Sequence, residues 1–306
     1  MKRLVGMLGI VICAVLVTLA DELSQRYSTQ GELISTRFAS APFPHPERAG
    51  GHKYKDQFFA SKEHYSDSTV AVFVPRNFRL GETVDFVVHF HGWKNHVASV
   101  LDRYKLIEQL IESRRNVILV VPQGPRDASD SFGGKLENSD GFKRFMDEVL
   151  QTVSEKSSLA GKKISAGSII LSGHSGGYHV ISSILDRGGL TDRIKEVWLF
   201  DGLYAQTETF IAWAENRHGR FLNIYTDGGG TKAETEKMMA SLAKRDVSFT
   251  SLKEKGLPLD ALRSNRPVFI HTELQHDDVL DKHSTFRGFL LTSCLRDIEG
   301  EWDEKK

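Results

Sequence analysis

The sequence is poor in cysteine, with only Cys13 and Cys294 in 306 residues. A disulfide-stapled framework is excluded, so a fold of this length must rest on its apolar core. Net charge is also missing, since 40 Lys+Arg face 40 Asp+Glu. That balance excludes a strongly basic nucleic-acid binder, whose affinity needs a positive face. No internal repeat, low-complexity tract or inter-domain linker is visible, and no Asn-x-Ser/Thr sequon occurs. The remainder is 40 % hydrophobic and 26 % charged. These are globular proportions, unlike those of disordered, collagen-like or multi-span membrane chains. Length alone suggests two domains, but single α/β sheets reach about 250 residues, and without a linker one domain is expected.

Residues 4–20 form an uncharged apolar run behind Lys2 and Arg3, ending on the small residues Thr18 and Ala20. This is the pattern of a secretory signal peptide, expected over 1–20. The run is slightly short of the roughly 20 apolar residues that a bilayer span needs. The expectation is therefore an exported protein, periplasmic or extracellular, with no stable membrane insertion after cleavage. Ile12 stands before Cys13 where a lipid-anchoring site would want a small residue. Losing Lys2 and Arg3 from 40 basic residues leaves 38 against 40 acidic, a formal charge of −2, and Cys294 becomes the single cysteine. Residues 21–66 are polar, with a stretch rich in Pro, Gly and His over 41–52, and read as an N-terminal arm that wraps the body; they show no periodicity that assigns helix or strand. The domain proper is expected over 67–300.

From Thr69 onward, short β-branched and aromatic runs alternate with helical lengths. The spacing predicts strands over 70–74, 84–90, 116–121, 168–172, 196–200, 221–225 and 268–272. It predicts helices over 98–112, 141–157, 177–186, 207–217, 232–244 and 284–296. Such alternation is the mark of βαβ units. The near-continuous apolar runs 168–172, 117–121 and 196–200 fit strands covered on both faces. The expected class is α/β, a mainly parallel central sheet with helices on both faces.

One stretch carries chemistry. Residues 168–177 read Ser-Ile-Ile-Leu-Ser-Gly-His-Ser-Gly-Gly, a strand running into a Gly-x-Ser-x-Gly turn and then a helix. Gly173 and Gly177 leave room for a tight turn that lifts Ser175 out of the strand end, where a helix N-terminus favours a developing negative charge. In this context the chain resembles the α/β-hydrolase superfamily, and its order of elements from 70 to 296 matches that pattern. The resemblance implies a serine hydrolase of the carboxylesterase kind, with Ser175 as nucleophile, no cofactor, and an acyl-enzyme that water hydrolyses. It implies a second oxyanion donor in the turn His89-Phe-His-Gly-Trp93, so that the N–H groups of Trp93 and Gly176 form the oxyanion hole. The turn departs from the glycine-rich form common in the superfamily.

The superfamily order is Ser, acid, His. His276, in the loop between the last strand and the last helix, stands where the resemblance puts the base. His283 lies just before the last predicted helix, and His271 lies inside an apolar strand. Two aspartates compete for the acid. Asp227 follows one strand and precedes three glycines, the position most members use. Asp201 follows the preceding strand, where a stiff buried support would hold it more rigidly. The sequence leaves both open.

His89, His91 and His96 raise a metal site, but Trp93 and Lys94 stand where a zinc-binding version of this turn wants further ligands, so none is expected. The loop 122–134 follows another strand end and should border the site. Its Arg126, Asp127, Asp130 and Phe132 suggest a polar substrate, with His91 and Arg126 as substrate-side residues. Thr231 reads as the N-cap of helix 232–244. The expected substrate is a small-molecule or polymer-borne ester, with no nucleic acid as partner. The alternatives are a serine peptidase or amidase, and a non-catalytic cell-envelope binding or scaffold protein on the same fold.

Overall fold

A computed structural model describes residues 19–215, 219–255 and 258–299. The expected signal peptide lies outside them except for its last two residues, and so do Arg217 and His218. The strands are β1 (Gly31–Arg37), β2 (His52–Tyr54), β3 (Gln57–Phe59), β4 (Thr69–Pro75), β5 (Val84–Phe90), β6 (Ile118–Pro122), β7 (Ala166–His174), β8 (Ile194–Phe200), β9 (Arg220–Thr226), β10 (Thr250–Lys253) and β11 (Val268–Thr272). Nine of them form one sheet in the order β1-β4-β6-β5-β7-β8-β9-β11-β10. β4 runs antiparallel to both β1 and β6. From β6 to β10 every pairing is parallel.

Both faces of this sheet are covered. Side chains alternate along a strand, so Phe86 and Val88 enter one apolar cluster while Val87 enters the other. Leu171 and Ile170 divide the same way, as do Leu199 and Trp198. The first cluster takes in Phe142, Phe145 and Met146 of helix Gly141–Lys156, Ile181 of Tyr178–Arg187 and Phe210 of Thr207–Glu215. The second takes in Leu101 of Val97–Arg103, Leu110 of Leu106–Ser113 and Phe289 of Thr285–Thr292. Each fully buried Phe or Leu contributes about 1.5–3 kcal/mol. Among the described residues no helix is long and apolar enough to cross a membrane.

Three features differ from the sequence expectation. Residues 21–66, where the sequence assigned no elements, carry most of a helix (Leu19–Tyr27), edge strand β1 and the β2–β3 hairpin. Leu23 and Tyr27 are buried in the second cluster. β1 escaped notice because an edge strand needs little apolar surface, and only Leu33 and Ile34 mark it. The helix expected over 98–112 breaks in two at Lys105, whose φ of 50° stops the first helix and restarts the chain as Leu106–Ser113. The last helix ends at Thr292, and Arg115 donates to the carbonyl of Leu291 in its last turn and to that of Leu295 beyond its end.

Candidate active site

Ser175 stands where β7 gives way to the helix Tyr178–Arg187 through a single 3-10 turn. Its φ of 53° lies in the left-handed region, which costs a residue with a Cβ of the order of 1 kcal/mol or more. The turn is held by close approaches that only glycine permits. A Cβ at Gly177 would strike the Phe90 carbonyl, and one at Gly92 would lie 2.5 Å from the Ser175 Cβ. The strain thus projects the hydroxyl from the carboxyl end of the central strand, at the N-terminal end of a helix.

Asp201 occupies the end of β8, fully buried, with φ 44°. Its Oδ1 accepts the Thr226 N–H at 3.0 Å and the Thr231 hydroxyl. Its Oδ2 accepts the Thr226 hydroxyl at 2.9 Å and His276 Nδ1–H at 2.6 Å. Burial pushes this carboxyl up, but the donors from His276, Thr231 and Thr226 outweigh burial and hold it below the usual carboxylate range. Because the His276 proton sits on Nδ1, where it is donated in the hydrogen bond to Asp201, Nε2 is left bare to accept another. Asp227 points elsewhere: its side chain is 57 % exposed, bonded to Lys232 at 2.7 Å and 3.1 Å from His271 Nε2. Of the two aspartates left open by the sequence, the structure joins Asp201 to His276. His283 is 58 % exposed and lies 3.1 Å from Glu254.

The turn after β5 packs on the elbow. A Cβ at Gly176 would lie 2.8 Å from Trp93 Cδ1, so Trp93 and Gly176 are in contact. The Trp93 indole N–H donates to Ser131 Oγ at 2.7 Å. Ser131, rather than Arg126, is how the loop 122–134 reaches the site. Tyr204 closes the other side: its hydroxyl donates to the Gly229 carbonyl at 2.6 Å, and its ring centre is 6.3 Å from that of His276. Burial and then the Asp201 charge push the Tyr204 phenol up to about 12, against the opposing pull of a hydrogen bond with Ser175.

His91 and Arg126, expected on the substrate side, are both held by protein partners. His91 is buried; its Nδ1–H donates to the Gly92 carbonyl at 2.8 Å, and its Nε2 accepts from Gly124 N–H at 2.9 Å and from Gln123 at 3.0 Å. It clamps the ends of β5 and β6 together, and burial pushes it down to about 4. Arg126 is held by Asp67 at 2.6 Å, while its N–H donates to the His64 carbonyl. It fastens residues 61–67 to the loop. Thr231 is the N-cap of the helix Lys232–Lys244, but its hydroxyl is committed to Asp201 and makes no side-chain cap bond.

The three histidines of the suggested metal site do not converge. His89 Nδ1 lies 2.9 Å from Ser172 Oγ with its ring edge-on to Phe286, and His96 lies 2.9 Å from Asp127. Among the described residues, His174, His276 and Asp277 are the group whose donor atoms fall within 4.8 Å of one another. Both imidazoles there already have partners, since His174 Nε2–H donates to the His276 carbonyl at 3.0 Å and His276 Nδ1–H to Asp201. His174, Tyr204, Ser131 and Thr226 are the site residues that sequence reasoning missed. His174 alone had a visible signal, as the middle residue of Gly-His-Ser.

A cavity of about 20 Å³ lies behind the elbow, lined by Gly176, Gly177, Phe132 and Val180 among others. A far larger hollow, about 1020 Å³, lies by Glu196, Arg220 and Cys294 near the opposite ends of the strands. Ligands of open parallel sheets gather at the carboxyl ends of the strands, so the Ser175 end is the candidate site.

No protein-family model and no curated protein matches the chain. Solved structures do. The feruloyl esterase module of Clostridium thermocellum, an S954A mutant complexed with sinapinate, aligns with TM-score 0.52 and 10 % identity over 86 % of this chain and 88 % of that one. A ferulic acid esterase aligns with TM-score 0.52 and 12 % identity over 86 % and 98 %. A fluorophosphonate-binding serine hydrolase of Staphylococcus aureus, substrate bound, aligns with TM-score 0.51 and 11 % identity over 86 % and 99 %. With its mainly parallel sheet, helices on both faces and these neighbours, the chain has the α/β-hydrolase fold.

Proposed function

We propose that this protein is an exported serine hydrolase that cleaves a carboxyl ester through an acyl-enzyme on Ser175. The observation that carries the reading is the 2.6 Å bond between His276 Nδ1–H and buried Asp201, set beside a strained serine elbow. In this mechanism Ser175 Oγ attacks the ester carbonyl carbon as His276 Nε2 takes the hydroxyl proton. Asp201 keeps the imidazole in the tautomer that can do so and stabilises the imidazolium. The N–H groups of Trp93 and Gly176 hold the oxyanion. Collapse of the tetrahedral species breaks the C–O bond of the ester, and the imidazolium protonates the departing alkoxide. Water repeats the sequence on the acyl-enzyme, releasing the acid and restoring Ser175.

Ester is preferred to amide because the neighbours above TM-score 0.5 include two named as esterases. A scaffold that had lost the chemistry would have no reason to keep four donors converging on Asp201. Export rests on residues 1–20. Their removal takes two residues from the helix Leu19–Tyr27 and leaves its buried Leu23 and Tyr27 in place. Wild-type protein is expected to turn over short-chain p-nitrophenyl esters and to take up a fluorophosphonate probe, with both lost in Ser175→Ala. A wild type that fails both overturns the reading. N-terminal sequencing of secreted protein tests export.

A further inference from the structure

We infer that His174, the residue immediately before Ser175, is the positioning residue for His276, fixing the base to the same strand end that carries the nucleophile. This rests on the reading of His276 as general base. A carbonyl oxygen can only accept, so the 3.0 Å contact between His174 Nε2 and the His276 carbonyl places the His174 proton on Nε2. His174 Nδ1 is then bare and faces the Tyr104 hydroxyl at 3.5 Å. The His174 ring lies against the His276 ring with centroids 4.7 Å apart and planes 30° apart.

His276 is therefore gripped twice, through its side chain by Asp201 and through its backbone by His174. The first grip sets the tautomer but leaves the height of the turn His276–Asp278 to the chain around it. The second ties that height to β7, where His174 is paired with Phe200 of β8 in the middle of the sheet. Nucleophile and base thus share one rigid reference. Burial, and then the proximity of His276, push the His174 imidazole down to about 4. It stays neutral beside the imidazolium that forms during turnover, in a setting that also holds His89, Tyr104, Asp201 and Asp277.

Two substitutions separate donor from ring. His174→Phe keeps a ring against His276 without the N–H, and His174→Gln keeps an amide N–H within reach of the carbonyl without the ring. The Phe variant is expected to lose about 30–100-fold in kcat with KM changed less than about threefold, as for a base displaced by a fraction of an ångström, while Gln stays within about fivefold of wild type. The low-field proton resonance of the His276 Nδ1–H is expected to broaden in Phe and persist in Gln. If Phe does not fold, His174→Asn, whose shorter amide cannot reach, takes its place. A Phe or Asn variant with wild-type kcat, or a Gln variant that falls as far as they do, overturns the inference. Activity surviving in Ser175→Ala would instead overturn the hydrolase reading beneath it.

Discussion

Replacing Asp201 by Asn removes one charge and almost no volume, so its effect follows from hydrogen-bond polarity alone. The Thr226 N–H that donates to Oδ1 is backbone and cannot reverse. The amide oxygen of Asn must therefore occupy the Oδ1 side, where the Thr231 hydroxyl also donates. Its NH₂ then faces the Thr226 hydroxyl and His276 Nδ1. An N–H pointed at Nδ1 forces that nitrogen to be bare, so the imidazole proton moves to Nε2. His276 then has nothing with which to take the proton of Ser175. A tautomer locked in this sense lowers kcat by about 10⁴, or roughly 5.5 kcal/mol at about 1.36 kcal/mol per decade. Asp227→Asn is the control. Its carboxylate is exposed beside Lys232, and a surface pair of this kind is worth about 0–1 kcal/mol, so kcat should stay within about twofold. The assay is steady-state hydrolysis of p-nitrophenyl acetate, with thermal melting to show that both variants fold. An Asp201→Asn protein that keeps more than about a tenth of wild-type kcat, or an Asp227→Asn protein that loses more than Asp201→Asn, refutes the argument.

Acid should unfold the protein early. His91 and His174 sit at about 4 when folded and near 6.5 when unfolded, so their contribution is complete above about 6.5 and is lost as pH falls toward 4. Together they should cost about 3–4 kcal/mol between pH 7 and pH 5 in urea titrations, and equal stability at the two pH values would contradict this. Glu196→Ala should destabilise by about 3–5 kcal/mol, because it strands the buried Arg220 guanidinium and removes the acceptor of Trp198 Nε1–H and of the Cys294 N–H. A shift in urea midpoint corresponding to under about 1 kcal/mol would show that the pair is not buried as described. Gly92→Ala drives a methyl into the Ser175 Cβ and should abolish fluorophosphonate labelling while leaving a folded protein by circular dichroism. Full labelling would disprove the close approach.

The central parallel strands were legible because they are buried on both faces and are dominated by apolar residues; 84–90 and 268–272 begin and end where the spacing predicts. The edges were not. β1 and β10 face solvent on part of their surface, and Gly-Glu-Leu-Ile-Ser-Thr-Arg and Thr-Ser-Leu-Lys carry too few apolar residues to stand out. The break at Lys105 has no glycine or proline to announce it. It leaves Tyr104 fully buried between the two helices, with its ring centre 5.2 Å from that of His174.

The aspartate ambiguity shows what kind of information the sequence withheld. Asp227-Gly-Gly-Gly-Thr231 looks like the loop that should supply the acid, and its position after β9 argues for that. What the loop supplies is donors. Thr226 gives a backbone N–H and a hydroxyl, Thr231 gives a hydroxyl, and Gly229 N–H turns inward onto Thr226 Oγ1 at 2.8 Å. The group they serve is one strand away, so neither residue spacing nor polarity within the loop reveals it. The partners of His91 were hidden for the same reason, since Gln123 and Gly124 belong to the neighbouring strand end. Serine, base and both candidate acids were visible as residue types at strand ends. Which acid is joined to the base depends on which neighbour the donors face, and that is a property of strand order rather than of local sequence. A buried carboxylate needs such donors far more than an exposed one does. Counting the hydroxyls and N–H groups that adjacent strand ends can aim at each aspartate therefore favours Asp201 over Asp227 once the strand order is known.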